Sequence, residues 1–552
     1  MTAMPAAPTI ATEPIPPGYW RREVSHAPRP QSPLCRTTAL VYTNAGFRRM
    51  FDELGVLPET LQWREIRGWI YTRLAPPGRA DRAKAAAETV RTDRYGRYLD
   101  RWFGSWRHEL AATIAELRAV PLTALDDGEL TTHLHRVLAL LEHGIDVHFR
   151  LQGGYAALLA DLAFTCRDLL GWDDQDTLTL LHGLCTASTE PARRLAELAT
   201  LARSRPAVRA LVRRADAAAA AALAQADPEF AAEFAAYQRE FGFRAIRYEV
   251  IDPTIAETPE VPLRLLRDLL ASDTRPVRDT ASGPRGQRRE QARAALSGVD
   301  LARFDRALAR AERIYPVREE YGPATFNEPL ALLRHTALEV GRRLVAAGRL
   351  IRAEDAFFLE GAELLAALTR VGPDLAAVVA TRRANREWAL ANPGPASYGT
   401  EPEPPASPRA LATEAQLANR AMTWLVRHSF APEDSARVQS GPVLTGTPAS
   451  AGSYTGPVRV IHEEAEFGQL RPGDVLVCPT TSPVWFILFA SVGALVTDGG
   501  GLLSHPAIIA REHGIPAVVG TGNATSVLRT GVRVTVDGSG GAVRVMAPNP
   551  LA

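Results

Sequence analysis

The sequence predicts a multidomain chain in which a large, mostly α-helical domain precedes a small α/β domain. Three observations predict it. Before residue 390 apolar residues recur at helical spacing, a Pro-rich stretch at 393–408 interrupts that texture, and after Gly441 the chain becomes short β segments separated by turn residues.

Residues 1–34, rich in Pro, Ala and Thr, read as an extended or disordered lead-in that straps onto the body. Residues 35–392 read as helical. Within them Leu130, Leu134, Val137, Leu141 and Ile145 are spaced to place one apolar stripe on a single helix face. The run from Asp216 to Ala224 is nearly all Ala, the best helix former, and Pro329 to Ala347 is amphipathic. Few stretches here show strand alternation, and Ala281 to Gln287 reads as a flexible basic loop. Residues 393–440 form a Pro-rich linker with a short helix around 412–428. From 441 to 548 strands are expected at Pro457–Ile461, Val475–Cys478, Ala494–Thr497, Ala517–Val519, Val532–Val536 and Ala542–Val545, with helices near 483–491 and 504–513.

Charge is balanced at 63 basic and 62 acidic residues, which argues against a nucleic-acid surface. Cys35, Cys166, Cys185 and Cys478 are too scattered for a zinc knuckle or redox pair and fit a reducing compartment, so no metal site is expected. The N-terminus lacks a basic region followed by an apolar stretch. The longest apolar run, Val484 to Val496, is broken by Ser491 and Gly493 and is too short to span a bilayer. A soluble cytoplasmic protein with no membrane contact is expected.

Chemistry concentrates between Val496 and Gly520. A strand ends at Thr497, and Gly499, Gly500 and Gly501 give the backbone freedom to turn with its N–H groups exposed. Ser504 suits an N-cap, Pro506 is tolerated in the first helical turn, and Gly514 ends the helix. His505 therefore sits in the first turn of a short helix. Unpaired N–H donors and a partial positive charge of roughly half an electron there stabilise an attached dianion and disfavour a positive ring. That placement suits a phosphoryl carrier, with Thr497, the three glycines, Ser504 and Arg511 as candidates to bind the phosphoryl group. Arg511 either turns back toward that group or pairs with Glu512 or Asp498.

This stretch resembles the phosphohistidine swivelling domain of the phosphoenolpyruvate-utilising enzymes, a family that includes phosphoenolpyruvate synthase, pyruvate phosphate dikinase and rifampin phosphotransferase. Five ordered segments carry the resemblance: Leu444 to Gly452, Gly473 to Val477, Thr480 to Trp485, the histidine motif, and Val536 to Gly538. It implies that His505 is the residue phosphorylated. Leu503 stands where the dikinases have a regulatory threonine, and Leu502-Leu503 resembles the rifampin phosphotransferase branch. Pro506 replaces the family's usual small residue and removes one N–H beside the histidine.

Weaker similarities lie upstream. Trp20 with Pro28 to Pro33 resembles the opening of the family's substrate domain, and Glu339 to Leu359 resembles another shared segment. Phe241 to Glu249 resembles a stretch in which relatives carry Tyr-Gly-His-Arg and then a glutamate, with Phe243 here in place of the histidine. The resemblance makes Arg244 and Glu249 candidates for substrate contact, against an ordinary helix-end ion pair. His133, His135, His143 and His148 could supply a general base, with His143 and His148 the candidates for contact, or form a solvated or partly buried face. No ATP-grasp pattern or Walker loop is legible, so no cofactor is expected in this chain; ATP and Mg²⁺ are expected on a separate ATP-grasp partner. The expected function is phosphoryl transfer from His505 to a small-molecule acceptor held by the helical region. The alternatives are a phosphorylation-coupled elimination or dehydration and a non-catalytic binding or regulatory protein.

Overall fold

The computed structural model describes residues 9–24, 26–56, 58–76, 82–244, 248–271, 282–368, 374–402, 413–429, 441–462, 464–481, 485, 488–489 and 491–546. The chain groups into two compact units, each assembled from separate stretches. Residues 1–154, 244–253 and 321–420 form the first; residues 155–243, 254–320 and 421–552 form the second. The expected helical region is thus divided between both units, and the C-terminal strands group with residues 155–320.

The first unit contains a sheet that the helical reading did not anticipate. Strand β1 (Trp20–Arg22) pairs antiparallel with β3 (Trp69–Leu74) and β4 (Ser397–Tyr398), and β2 (Leu61–Ile66) forms a hairpin with β3. Arg67 and Gly68 both take positive φ, 49° and 84°, which lets a two-residue turn follow the strand twist. Trp20, Ile66, Trp69 and Tyr71 bury their faces around Ala389. The described part of the lead-in therefore supplies a strand, because burying Trp20 stabilises its pairing more than a solvated strap would allow.

The helical expectations fare better. Leu130, Leu134, Val137, Leu141 and Ile145 are all buried, on a helix that runs on from Asp127 to Leu170. The alanine run forms Ala217–Ala226, with the Asp216 side chain accepting the Ala219 amide. The segment 282–287 is not a loop: it opens the helix Ser282–Ala295, where Pro284 is accommodated in the first turn. Residue 281 lies outside the described residues. No helix among the described residues is long and apolar enough to cross a membrane.

In the second unit, strands β5 (Val443–Thr445), β6 (Thr447–Ser450), β7 (Ser453–Val460), β8 (Val475–Cys478), β9 (Ala494–Thr497), β10 (Ala517–Val519), β11 (Arg533–Asp537) and β12 (Ala542–Val545) form one sheet. Their order is β5-β12-β11-β7-β8-β9-β10-β6. The pairs β7–β8, β8–β9 and β9–β10 are parallel and the remainder antiparallel. Val475, Val477, Val496, Val518, Val534 and Val536 lie in its fully buried core. The helix His505–His513 is the crossover between the parallel strands β9 and β10. A crossover of this kind brings the helix N-terminus to the carboxyl end of the sheet, where ligands of open α/β sheets bind. The linker helix is Thr413–Ser429. The helix expected near 483–491 falls largely outside the described residues, as do residues 403–412 and 430–440 of the linker.

Candidate functional site

The turn between β9 and the His505 helix is built by hydrogen bonds that consume part of its own polarity. Thr497 is fully buried; its hydroxyl donates to the Gly499 carbonyl at 2.6 Å, and its own carbonyl accepts from the Thr521 amide and hydroxyl at 3.0 and 2.9 Å. The Gly499 amide donates to the Pro479 carbonyl at 2.9 Å. Thr497 and Gly499 thus hold the loop in shape and have no group left for a phosphoryl oxygen. Gly500 takes φ 103°, a conformation that favours glycine.

Ser504 has the extended backbone of an N-cap, but its side chain caps nothing. Its hydroxyl donates to the Gly501 carbonyl at 2.7 Å. The reason lies in the next residues: one amide a cap would accept from belongs to Pro506, which has none, and the Gly501 carbonyl is closer to hand. The helix instead starts with the Ser504 carbonyl accepting the Ile508 amide at 3.0 Å. The amides of His505 and Ala507 donate to no acceptor among the described residues.

His505 is mostly buried, its side chain 17% exposed. Nδ1 lies 3.2 Å from Oε2 of Glu319, on the short helix Val317–Gly322. Nε2 is buried without a hydrogen-bond partner among the described residues. Burial pushes the Glu319 carboxyl up, yet the adjacent His505, by charge and by hydrogen bond, and Arg318 outweigh it and hold the carboxyl below its ordinary range. An ionised Glu319 accepts the Nδ1 proton and so assigns the tautomer: the hydrogen is on Nδ1 and the lone pair on Nε2. Glu319 was not legible in the sequence; its only local sign is a pair of acidic residues in a short helix.

Arg511 corrects the expectation placed on it. It is buried, and its guanidinium donates to the carbonyls of Ala449 and Leu502 at 3.0 and 2.7 Å and to the Tyr315 hydroxyl at 3.3 Å. These carbonyls would otherwise be buried unpaired, and the planar fork of donors reaches all three oxygens. Its hydrogen bonds go neither to Glu512 nor to Asp498. Asp498 instead takes the Thr525 amide at 2.9 Å, and Glu512 takes the Gly183 amide at 3.0 Å. Burial raises the Asp498 and Glu512 carboxyls.

Around this point two imidazoles are kept uncharged. Burial, with Arg511 and Arg285 nearby, pushes His182 down to about 3, and burial alone pushes His513 down to about 4. Arg285 donates to the His182 carbonyl at 3.0 Å, which anchors the helix expected to be a loop.

The upstream candidates belong to the first unit and do not form one cluster. Glu249 accepts the Ser32 amide at 2.7 Å, the Ser32 hydroxyl at 2.6 Å and the Ile251 amide at 3.1 Å. A buried carboxylate so fully engaged anchors the Pro28–Pro33 segment and leaves little for a substrate. Burial still raises it. Arg244 Nε lies 4.0 Å from Glu328, an ion-pair distance. His143 is exposed. His148 Nδ1 lies 3.2 Å from the Thr325 hydroxyl with its ring edge-on to Tyr321 at 4.7 Å. His133 is buried and His135 exposed, so the four histidines share neither face nor environment. Among the described residues no group of three or more His, Cys, Asp and Glu could hold a metal ion.

Comparison with known proteins bears on this geometry directly. Residues 470–541 match the family described as PEP-utilising enzyme, mobile domain. The chain carries a PEP-utilising mobile domain. Residues 150–319, which end at the carboxylate facing His505, match the rifampicin phosphotransferase fourth domain. Over 104 residues the chain is 55% identical to the uncharacterized phosphotransferase YvkC of Bacillus subtilis (strain 168), covering 19% of this chain and 12% of that protein. A rifampicin phosphotransferase of a Streptomyces species is 29% identical over 325 residues, 56% of this chain and 34% of that protein. Chondramide synthase cmdD of Chondromyces crocatus is 29% identical over 557 aligned positions, 96% of this chain and 14% of that protein. The chain therefore spans between 12% and 34% of the length of these relatives.

Proposed function

We propose that the chain is a phosphotransferase whose His505 carries a phosphoryl group on Nε2 and delivers it to a small-molecule acceptor. The observation that carries this reading is the asymmetry of the ring: Nδ1 is held at 3.2 Å by Glu319 while Nε2 meets no hydrogen-bond partner among the described residues. In the loading step the Nε2 lone pair attacks phosphorus, the bond from phosphorus to the donor's leaving oxygen breaks, and Glu319 stabilises the positive charge that the ring gains. In delivery an acceptor oxygen attacks phosphorus, the P–N bond breaks and its electrons return to Nε2. The first-turn amides of His505 and Ala507 supply donors for the phosphoryl oxygens, and Arg318 adds positive charge beside Glu319. Arg511 supports the loop from behind.

In this reading ATP and Mg²⁺ are bound by a separate ATP-grasp protein, and the acceptor is bound by the helical part of the chain. The relatives named as phosphotransferases support phosphoryl transfer. The four buried free thiols suit a cytoplasmic setting.

The buried Nε2 and the amide lost at Pro506 favour one rival, a binding protein that has given up transfer. Labelling decides between them. The protein is treated with potassium phosphoramidate, a small phosphoryl donor that needs no partner, and separately with radiolabelled ATP plus an ATP-grasp protein. Acid-labile, base-stable label on His505, absent in His505→Asn, is expected. No label at His505 with either donor refutes the carrier reading.

A further inference from the structure

The linker helix Thr413–Ser429 ends against the loop that carries His505. The last carbonyls of a helix have no helical partner, and that of His428 accepts the Leu503 amide at 2.6 Å. The approach is close enough that a Cβ at Gly501 would lie 2.6 Å from the His428 carbonyl oxygen and 3.0 Å from that of Arg427. The third glycine of the turn is therefore required by the helix seated on it.

The side chain of the same residue reaches elsewhere. His428 Nε2 lies 2.9 Å from Oδ2 of Asp174, in the first turn of the helix Asp174–Thr179. Both side chains are shielded, 9% and 16% exposed, and Trp424 packs edge-on to the imidazole at 4.8 Å. Arg167 takes the other oxygen of Asp174 at 2.8 Å. Burial alone would raise the Asp174 carboxyl; hydrogen bonding from His428 and Trp424, with the charges of His428 and Arg167, outweighs it and leaves the carboxyl lowered. One residue thus ties the phosphoryl-carrying loop, through its carbonyl, to a helix of the segment matching the rifampicin phosphotransferase fourth domain, through its ring. In the arrangement this tie maintains, Nε2 of His505 is buried.

We propose that Asp174 and His428 form a latch that holds the His505 loop in its covered position, and that breaking the latch opens Nε2 to a phosphoryl donor. His428 touches the loop only through its backbone, so it is a positioning residue. The inference rests on His505 being the carrier.

His428→Phe keeps an aromatic ring against Trp424 and keeps the carbonyl that holds Leu503, and it removes only the bond to Asp174. Asp174→Asn weakens the same bond from the other side. Each variant, the double variant and the unaltered full chain are treated with potassium phosphoramidate, and the labelling rate of His505 is followed by intact mass and peptide mapping. Amide hydrogen exchange is measured in parallel for peptides covering 498–504. The unaltered protein is expected to label slowly and each single variant about tenfold faster, the factor equivalent to about 1.4 kcal/mol in the opening equilibrium. The double variant is expected to label no faster than the singles, and exchange to rise at 498–504 while the sheet peptides stay protected. A merely structural role would raise exchange across the sheet as well. Equal labelling rates in folded variants overturn the latch. If His428→Phe does not fold, Asp174→Asn alone decides by the same criterion. If His505 labels in no protein, the carrier reading falls, and the latch is judged by exchange alone: raised exchange at 498–504 supports it and unchanged exchange overturns it.

Discussion

Replacing His513 removes a pH sensitivity whose size follows from its surroundings. His513 closes the His505–His513 helix. A positive ring at a helix C-terminus gains about 0.3–1 kcal/mol from the macrodipole. Burial opposes this and wins, pushing the imidazole from its ordinary 6.5 down to about 4. Its Nε2 is buried with no hydrogen-bond partner among the described residues, and the Phe489 ring stands 6.1 Å away. The folded ring stays neutral, while the ring of the unfolded chain takes up a proton below about 6.5. The folded value is the depressed one, so the stability is fully present above about pH 6.5 and is lost as pH falls toward 4. The full difference is worth roughly 3 kcal/mol, and roughly 2 kcal/mol of it is gone by pH 5. The assay is native-state hydrogen exchange of mobile-domain peptides at pH 7.5 and pH 5, corrected for intrinsic exchange, in the unaltered chain and in His513→Leu. The variant is expected to lose about 2 kcal/mol less between the two conditions. An identical pH dependence in both proteins, or an imidazole titration midpoint near 6.5 for His513, refutes the reasoning.

Other substitutions probe the site in the same terms. Glu319→Gln withdraws the carboxylate that steadies the charged ring, and it is expected to slow phosphoramidate labelling of His505 roughly a hundredfold, the low end for one lost electrostatic stabiliser. Gly501→Ala drives a methyl group into the His428 carbonyl and is expected to cost about 1–3 kcal/mol, read as a lowered Tm. Arg511→Met leaves the Ala449 and Leu502 carbonyls without their donor and should cost on the order of 2–3 kcal/mol in thermal unfolding. Glu249→Ala strips the Ser32 amide of its acceptor; stability should fall by about 1–3 kcal/mol while His505 labels at the unaltered rate, whereas slowed labelling in folded protein would return Glu249 to the active machinery.

The small α/β domain was legible in part: the strands expected at Pro457–Ile461 and Val532–Val536 run instead over Ser453–Val460 and Arg533–Asp537, and Val443–Thr445 and Thr447–Ser450 were not among the expected strands. Val475–Cys478, Ala494–Thr497, Ala517–Val519 and Ala542–Val545 are strands with the expected bounds, because each is a short apolar or β-branched run closed by a turn former. The start of the His505 helix was legible for a similar reason: glycine frees the backbone to turn, serine suits the N-cap position and proline fixes φ in the first turn, whatever surrounds them. The hairpin Leu61–Leu74 was missed. Gln, Arg and Glu alternate irregularly with Trp63, Trp69 and Tyr71 there, so apolar alternation is weak, and only the aromatic content and the Arg67-Gly68 turn pointed to it.

Side-chain destinations divide differently from backbone shape. That a histidine begins a helix beside a glycine turn follows from residues within a few positions of it, and the sequence by itself determined this. That Nδ1 meets Glu319, 186 positions away, was decided only when the chain folded and the Val317–Gly322 helix came to face the ring. Arg511 has the reach to serve a phosphoryl group, but the tertiary structure spends that reach on the carbonyls of Ala449 and Leu502. A long cation surrounded by possible acceptors goes to the oxygens that burial would otherwise leave unpaired, and which oxygens those are depends on packing that no local pattern records.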